Sequence, residues 1–390
     1  MALQSYTAND ITYSFFPEPE TPLAFRTWAV IRGRLLDEMT GTPPTGGISI
    51  DSPFVGISPR VAPGGLVAFA AIPVLAFSNL KHGSYTIEVD LQADGYIPIF
   101  RSVPIAQDLN FPVSFVPFDL GDMALHRLPT VISGRVVVDN GITATAVVGA
   151  ALSLSGLWRT PPPANLVVAP DPPDLVSLNP GVYFDRAAAG SQVQGLNFLG
   201  APGPDKQLIR DAPAGQSRLS LSDRILIAAN DILAIDTADS AHTEYVTVQS
   251  VAGATADNLP ATITLVSKLR INHRQGATVH KVQFQNIGPV IALTQDAISG
   301  DVCAFVNGVA NLAAAPFISV QQGVDPVEYH AAGYFQAVSD AQGFFRFPPI
   351  SRVAQCAVHC HDRVHPDPNP DPTHRPDYES EVSRIDFVYH

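Results

Sequence analysis

The chain has few charged residues and very little lysine or glutamate. Charged residues make up 15% of its 390 residues, whereas a soluble domain has about 25%. Lysine occurs four times and glutamate eight times, against 19 arginines and 28 aspartates. Because lysine and glutamate favour helices and aspartate favours turns, this composition predicts strands and loops. The same bias is typical of protein interfaces, although a GC-rich genome also favours arginine over lysine.

Long apolar runs and basic clusters are missing as well. The longest apolar run, Leu66–Phe77, contains Pro73 and is far shorter than the roughly 20 residues of a membrane-spanning helix. The net charge of −13 repels phosphates, so no nucleic-acid partner is expected. A hydrophobic content of 46% is too high for a disordered chain. The length predicts two or three domains.

Cysteine is equally scarce. The chain has only three cysteines, Cys303, Cys356 and Cys360. They are too few to stabilise a secreted protein of this length through disulfide bonds. The first ten residues have neither the basic nor the apolar region of a secretory signal. We therefore expect synthesis in a reducing cytoplasm.

Residues 25–127 contain short apolar segments separated by Gly, Pro or Asn, a pattern typical of a β-sandwich. Strands are predicted at residues 25–37, 48–51, 66–72, 83–91, 97–101 and 111–118. In the fourth of these the apolar residues alternate, which places four of them on one buried face: Tyr85, Ile87, Val89 and Leu91.

A second copy of the opening strand follows about a hundred residues later. Val131–Val138 (VISGRVVV) matches Val30–Asp37 (VIRGRLLD) at an offset of 101, with Val, Ile, Gly and Arg repeated in place. A repeat of this length predicts two related domains.

These segments resemble the carboxypeptidase regulatory-like (transthyretin-like) β-sandwich family. Its pattern comprises a V-x-G-x-V strand, a D-x-x-G-x-F-x-F strand, a G-x-Y-x-L/I-x-V strand and a Gly-Tyr corner. The first copy matches the last two at Gly83–Val89 and Gly95–Tyr96, and the second matches the Phe-x-Phe strand at Asp340–Phe347. The second copy lacks the Gly-x-Tyr element, since Ser351–Cys356 stands in its place. The resemblance implies two such sandwiches, the second interrupted by an insertion.

The insertion begins in proline-rich sequence and contains alternating segments at residues 215–228, 241–251, 261–266 and 273–282. They predict a compact third β unit, and their arrangement resembles a small β module of phage tail structural proteins. We therefore expect an all-β chain of two Ig-like or transthyretin-like sandwiches with an inserted small β-barrel-like unit. Its predicted parts are an N-terminal arm (1–24), a first sandwich (25–127), a split second sandwich (128–165 and 315–390) and the inserted domain (166–314).

The densest group of potential metal ligands lies in residues 355–365. If residues 356–361 form a strand, the two cysteines share one face and His359 and His361 share the other, which excludes a single Cys₂His₂ site. The two imidazoles could instead bind a metal ion with His365 or Asp362. The alternative is that the cysteines are core residues and the histidines face solvent or an interface. The metal hypothesis therefore names His359, His361 and His365, and no other cofactor is expected.

The C-terminal region offers two further interpretations. The carboxylates of Pro366–Asp377 could bind Ca²⁺, but alternate prolines and the missing glycine turn favour an extended, solvated spacer. The last segment, Ser383–His390, has strand character and is expected to close the second sandwich.

Aromatic residues suggest where a partner chain binds. Tyr13, Phe15 and Phe16 precede the first sandwich and are candidates for a docking arm, by strand addition or aromatic insertion. Trp28 and Trp158 could form a platform for a carbohydrate or a partner, but Trp28 alternates with Val30 and is expected in the core.

The sequence contains no nucleophile elbow, zinc-protease His-Glu pair, P-loop or Rossmann fingerprint, so we predict a protein that is not an enzyme. The resemblance and the expected lack of a signal imply a structural or accessory subunit of a phage tail-like, contractile injection particle. Such a subunit is made in the cytoplasm, binds other protein subunits as a homo- or hetero-oligomer, and acts after release. The alternatives are a secreted or cell-surface adhesin or glycan-binding protein, and an accessory domain of an enzyme. Exposed aromatic residues within 177–288 favour the glycan-binding alternative, and an unpaired arm at residues 1–20 favours the subunit.

Overall fold

The structure is a computed structural model that describes residues 4–8, 11–15, 27–158, 174–182, 186–238, 242–253, 256–361 and 373–389. Strands account for 52% of the chain and helices for 3%, so the all-β prediction is confirmed. The chain forms two compact units, and the boundary between them in the sequence lies between Leu128 and Pro129. Among the described residues, no helix is long and apolar enough to cross a membrane.

The first unit contains a hairpin and two sheets that share one core. Its strands are β1 (Gln4–Ala8), β2 (Ile11–Phe15), β3 (Trp28–Asp37), β4 (Ile48–Asp51), β5 (Ile57–Ala62), β6 (Leu66–Ala71), β7 (Tyr85–Ala93), β8 (Ile99–Ile105) and β9 (Phe118–Leu125). A 3₁₀ turn (Pro63–Gly65) precedes β6, and helix α1 (Pro73–Ala76) follows it. The sheets have the orders β5-β6-β3-β9 and β4-β7-β8. The predicted alternation in β7 is confirmed for Ile87, Val89 and Leu91, which are at most 2% exposed, while Tyr85 is only partly buried.

One strand prediction in this unit is wrong. Residues 111–117 form a turn and an irregular loop, and β9 begins only at Phe118. Pro112 and Pro117 lack the backbone N–H that a strand interior requires. The loop is anchored instead by Phe111 and Phe115, which are buried in the core. Beside this loop, Trp28 is only partly buried.

The second unit holds the remaining strands. They are β10 (Thr130–Asp139), β11 (Ala144–Ala146), β12 (Ala151–Trp158), β13 (Asp174–Asn179), β14 (Arg186–Ala187), β15 (Gln192–Gly200), β16 (Lys206–Gln207), β17 (Arg218–Leu221), β18 (Ile232–Ile235), β19 (Glu244–Gly253), β20 (Ala261–Leu265), β21 (Thr278–Ala292), β22 (Ala297–Ile298), β23 (Cys303–Val306), β24 (Phe317–Gln321), β25 (Glu328–Gly333), β26 (Gln336–Val338), β27 (Phe344–Ile350), β28 (Gln355–His361), β29 (Thr373–His374), β30 (Val382–Arg384) and β31 (Phe387–Tyr389). A 3₁₀ turn, Val309–Leu312, precedes β24.

The second sandwich is assembled from both ends of this unit. One sheet contains β11, β10 and β27, with β30 and β31 pairing β10 in parallel, and the other has the order β26-β12-β28-β29. The predicted closure by the last segment of the chain is therefore confirmed. Between the sheets lies a core that includes Ile132, Phe347, Val358 and Phe387.

The opening strands β3 and β10 make the same connections in their two sandwiches. Each pairs antiparallel with an equivalent strand, β6 or β27, and in parallel with the last strand or strands of its sandwich; β10 also pairs antiparallel with β11. Arg34 Nε donates to the Gly64 carbonyl at 3.1 Å, and Arg135 Nε donates to the Gln342 carbonyl at 2.9 Å. Arg34 and Arg135 are 101 positions apart, so the sequence repeat corresponds to a structural repeat.

Strand β28 occupies the place of β7, because each is the inner strand of the sheet opposite the opening strand. Cys356, Val358 and Cys360 are fully buried there. The segment without the Gly-x-Tyr pattern therefore still supplies a core strand, with cysteines in inward positions.

The insertion is built around two cores rather than one. The first includes Val176, Val193 and Ile318, and the second includes Leu219, Val246 and Ile263. Strand β21 joins them, since its first half pairs β16 and β18 and its second half pairs β15. Strands β24 and β25, which fall within the range 315–390 assigned by sequence to the second sandwich, pair instead with β15 and β13 of the insertion.

Candidate binding surfaces

The predicted metal-binding histidines lie on β28, opposite β12. The rings of His359 and His361 are parallel, with an interplanar angle of 2° and centroids 6.2 Å apart. His359 is partly buried and His361 is exposed, while Cys356 and Cys360 point into the core. The predicted division of the strand into a cysteine face and a histidine face is confirmed.

A complete metal site is not assembled in the described part of the chain, where no three His, Cys, Asp or Glu residues are grouped to hold an ion. His365 and Asp362 lie outside the described residues, so the three-histidine site stays a prediction. Residues 366–372 of the candidate Ca²⁺ loop lie outside them as well. Burial raises the pKa of Cys356 to about 12, so this thiol is protonated at neutral pH.

The predicted docking arm forms the β1–β2 hairpin. Its register places Tyr6 opposite Tyr13 and Gln4 opposite Phe15. Phe16 lies outside the described residues. Opposite residues and alternate residues share a face of a two-stranded sheet. By this pattern Gln4, Tyr6, Ala8, Ile11, Tyr13 and Phe15 occupy one set of alternating positions, and Ser5, Thr7, Thr12 and Ser14 occupy the other.

This hairpin is the smallest kind of sheet. Among the described strands, β1 and β2 pair only with each other. A two-stranded hairpin is marginally stable by itself in water and gains stability by packing one face on another element. Its outer edges also offer unpaired backbone groups to a further strand.

A cluster of five aromatic side chains lies on the large sheet of the second unit, and the sequence did not predict it. We call it the aromatic cluster; it comprises Phe198, Tyr245, Phe284, Phe317 and Tyr329. Neighbouring ring centroids are 5.1 to 6.5 Å apart, within the range of favourable aromatic pairs. Four of the residues come from adjacent strands in the order β21-β15-β24-β25. Phe198 is 50% exposed and the others are partly buried.

The cluster lies on the outer face of this sheet. Ile318 and Val320 point into the core of the insertion. Because successive residues of a strand point to opposite faces, Phe317, which directly precedes Ile318, points away from this core. Leu196 lies opposite Phe317 on the same outer face but is only 2% exposed. The rings therefore cover Leu196 and form a packed apolar surface.

The aromatic cluster contains two tyrosine hydroxyls. Neither Tyr245 nor Tyr329 has a hydrogen-bond partner among the described residues. Burial raises the pKa of each phenol above its ordinary value, so both remain neutral donors at physiological pH. A buried or half-buried tyrosine usually finds such a partner.

Buried acid–base pairs are the other notable polar feature. Three histidines each contact a glutamate, and all six side chains are at most 8% exposed. The nitrogen–oxygen distances are 2.6 Å for His126–Glu38, 3.0 Å for His273–Glu244 and 3.2 Å for His330–Glu328. Each pair is enclosed by the surrounding protein, so these groups are not exposed to a ligand.

Comparisons with known proteins give little further information. No known protein family and no curated protein matches the chain. It shows weak similarity to two crystal structures of the major pilin subunit BcpA of Bacillus cereus, with 10% identity and a TM-score of 0.19 for one. The other, a variant of the same subunit, has 9% identity and a TM-score of 0.18. Each comparison covers 93% of this chain and 99% of the pilin, but such TM-scores support no conclusion about function.

Proposed function

We propose that this chain is a non-catalytic structural or accessory subunit of a large particle of the phage tail-like, contractile injection kind. The observation that carries the proposal is the N-terminal hairpin, whose strands pair only with each other among the described strands. Tyr6, Tyr13 and Phe15 occupy one set of its alternating positions. A hairpin of this kind gains stability when its aromatic face packs on another chain.

The composition supports the same proposal. Arginine exceeds lysine by 19 to 4, and arginine is enriched and lysine depleted at protein interfaces. The particle type rests on the family resemblance. In such an assembly the subunit is made in the cytoplasm and acts after the particle is released.

Variants of the two hairpin faces test the role of the arm. We expect the double variant Tyr13→Ser with Phe15→Ser to shift the chain from the particle fraction of a gentle lysate to the light fraction. The matched control, Thr12→Ala with Ser14→Ala, changes two residues of the opposite face and should still sediment. Equal sedimentation of both variants would mean that the aromatic face does not hold the subunit in a particle.

A second candidate function is binding of a glycan by a secreted or cell-surface protein. The aromatic cluster is the observation that favours it. Phe198, Tyr245 and Phe284 fall within residues 177–288, where exposed aromatic residues were expected for a glycan binder.

A further inference from the structure

We infer that the aromatic cluster is a binding site for a neutral oligosaccharide. The inference rests on the glycan binding proposed above and names its ligand class; it is independent of the assembly function, because it concerns a surface of the second unit that the N-terminal arm does not form. It holds for a particle subunit and for an exported protein alike.

The first argument is the combination of ring faces with unused hydroxyls. A sugar ring presents C–H groups on its faces and hydroxyls at its rim, so it needs an apolar surface and hydrogen-bonding groups beside it. The cluster supplies the first through Phe198, which is 50% exposed. It supplies the second through Tyr245 and Tyr329, whose hydroxyls have no partner among the described residues.

The second argument is the uncharged character of the positions beside Leu196 and Tyr329 on the same face. Asn286 lies opposite Leu196, and Ser319 lies between Gln194 and Tyr329 in the sheet register. These residues are uncharged and can each donate and accept hydrogen bonds. The whole chain carries a net charge of −13, which disfavours sialylated or sulfated glycans. The surface is therefore suited to a neutral ligand.

The third argument is size. The rings of Phe284 and Tyr329, which come from the first and last of the four strands, have centroids only 5.6 Å apart, so the cluster is compact. The rings also bury one another, and Phe198 is the only one of the five that is more than partly exposed. A protein partner needs about 800 Å² of surface on each side, which favours the smaller ligand.

The test is an array of neutral and acidic glycans probed with the full-length chain, followed by calorimetric titration of the oligosaccharide retained best. We expect a neutral oligosaccharide to bind and Phe198→Ala to weaken it about tenfold or more, by loss of a stacking ring. Tyr245→Phe with Tyr329→Phe keeps both rings and should weaken binding several-fold by loss of the hydroxyls. Phe100→Ala is the matched control, because Phe100 is 54% exposed and belongs to the first sandwich.

The possible outcomes separate this inference from the assembly function. Retention of no neutral glycan, or equal affinity of wild type and Phe198→Ala, would overturn it whatever the chain does in a particle. Selective binding of acidic glycans would also contradict it. If Phe198→Ala abolishes sedimentation with particles but no glycan binds, the cluster is a protein interface instead. Thermal unfolding of each variant confirms that it is folded.

Discussion

Tyr96 donates a hydrogen bond to the carboxylate of Asp37 at 2.6 Å, although 59 positions separate the two residues. The same carboxylate accepts bonds from Arg127 Nε at 2.8 Å and from the backbone N–H groups of Met39 and Thr40. Asp37 is 2% exposed and ends the opening strand of the first sandwich. The Gly-Tyr corner therefore binds the end of this strand. The second sandwich has Val138 at the corresponding position, and no such bond is possible there.

Removal of this hydroxyl should destabilise the first sandwich. We expect Tyr96→Phe to lower the free energy of unfolding by about 1–2 kcal/mol, since Asp37 loses a hydrogen bond to a charged group. Burial raises the pKa of Asp37, but the bonds from Tyr96, Arg127 and Thr40 outweigh it and lower the pKa overall. A lowered pKa in the folded state stabilises the protein above roughly pH 4, and this contribution is lost as the pH falls through the folded-state pKa.

Denaturant unfolding between pH 3 and pH 7 measures both effects. The wild type should lose stability on acidification more steeply than Tyr96→Phe. Parallel pH profiles for the two proteins would show that the bond does not determine the ionisation of Asp37.

A pair of facing carboxylates predicts the opposite dependence of stability on pH. Asp51 and Asp90 lie directly opposite each other on β4 and β7. Burial first, and then the charge of Asp51, raise the pKa of Asp90. Because the folded-state pKa is raised, the ionised form destabilises the fold at neutral pH, and this cost is relieved as the pH falls through the folded-state pKa.

We therefore expect Asp90→Asn to raise the free energy of unfolding at pH 7 by about 0.2–1 kcal/mol, through loss of a like-charge pair. The gain should shrink towards pH 4. Asp325→Asn serves as the control, because it removes the same charge from the chain at an exposed position. If both variants change the stability equally, net charge rather than the pair is responsible.

Two glycines allow the cost of backbone strain to be measured separately from the cost of a steric clash. Gly343 and Gly141 have similar positive φ angles, 80° and 82°. A Cβ atom at Gly343 would lie 2.5 Å from the Val136 carbonyl oxygen, whereas one at Gly141 meets nothing within 4 Å. Alanine at either position adds strain of about 1 kcal/mol or more. Gly343→Ala should be the more destabilising by a further 1–3 kcal/mol, as measured by chemical denaturation.

The equivalent glycine of the first sandwich is Gly65, whose Cβ would lie 2.3 Å from the Leu35 carbonyl oxygen. Gly65→Ala should therefore behave like Gly343→Ala. A result close to that of Gly141→Ala at both positions would contradict the close contacts with the two carbonyl oxygens, and a clear difference between Gly65→Ala and Gly343→Ala would contradict the structural repeat.

The three thiols should be unreactive in the folded protein. Cys303, Cys356 and Cys360 are buried, and burial raises the pKa of Cys303 and Cys356 to about 12. Since the thiolate is the reactive form, a chromogenic disulfide reagent should label none of them at pH 8 under native conditions. All three should react in guanidinium chloride. Rapid labelling of a native thiol would show that the β28 core opens readily.

Local patterns predicted those parts of the structure that depend on local residues. Alternation along β7 and β28 gave the correct inward faces, since strand geometry alone determines which residues share a face. The repeat of Arg34 as Arg135 gave the correct pair of opening strands. The strand prediction for residues 111–118 was wrong because two prolines outweigh the apolar character of this segment.

The aromatic cluster could not be predicted in the same way. Its members extend from Phe198 to Tyr329 and come together only through the register of four adjacent strands and the position of β19. The local sequence gave only a weak indication of the cluster. Tyr245 and Phe317 each directly precede a buried strand residue, Val246 and Ile318, and so point to the opposite face of the sheet. The assignment of residues 317–333 failed for a related reason, because pairing partners far apart in sequence determine which sheet a strand joins.

The central claim is that this chain works as a subunit of a large particle. The most direct test is sedimentation of a gentle lysate of the organism that encodes it, with detection of the chain by antibody and negative-stain electron microscopy of the pellet. We expect the chain to sediment with rods or tubes of fixed width and to be labelled on them by immunogold. Recovery of the chain only as a monomer in the light fraction would contradict the claim.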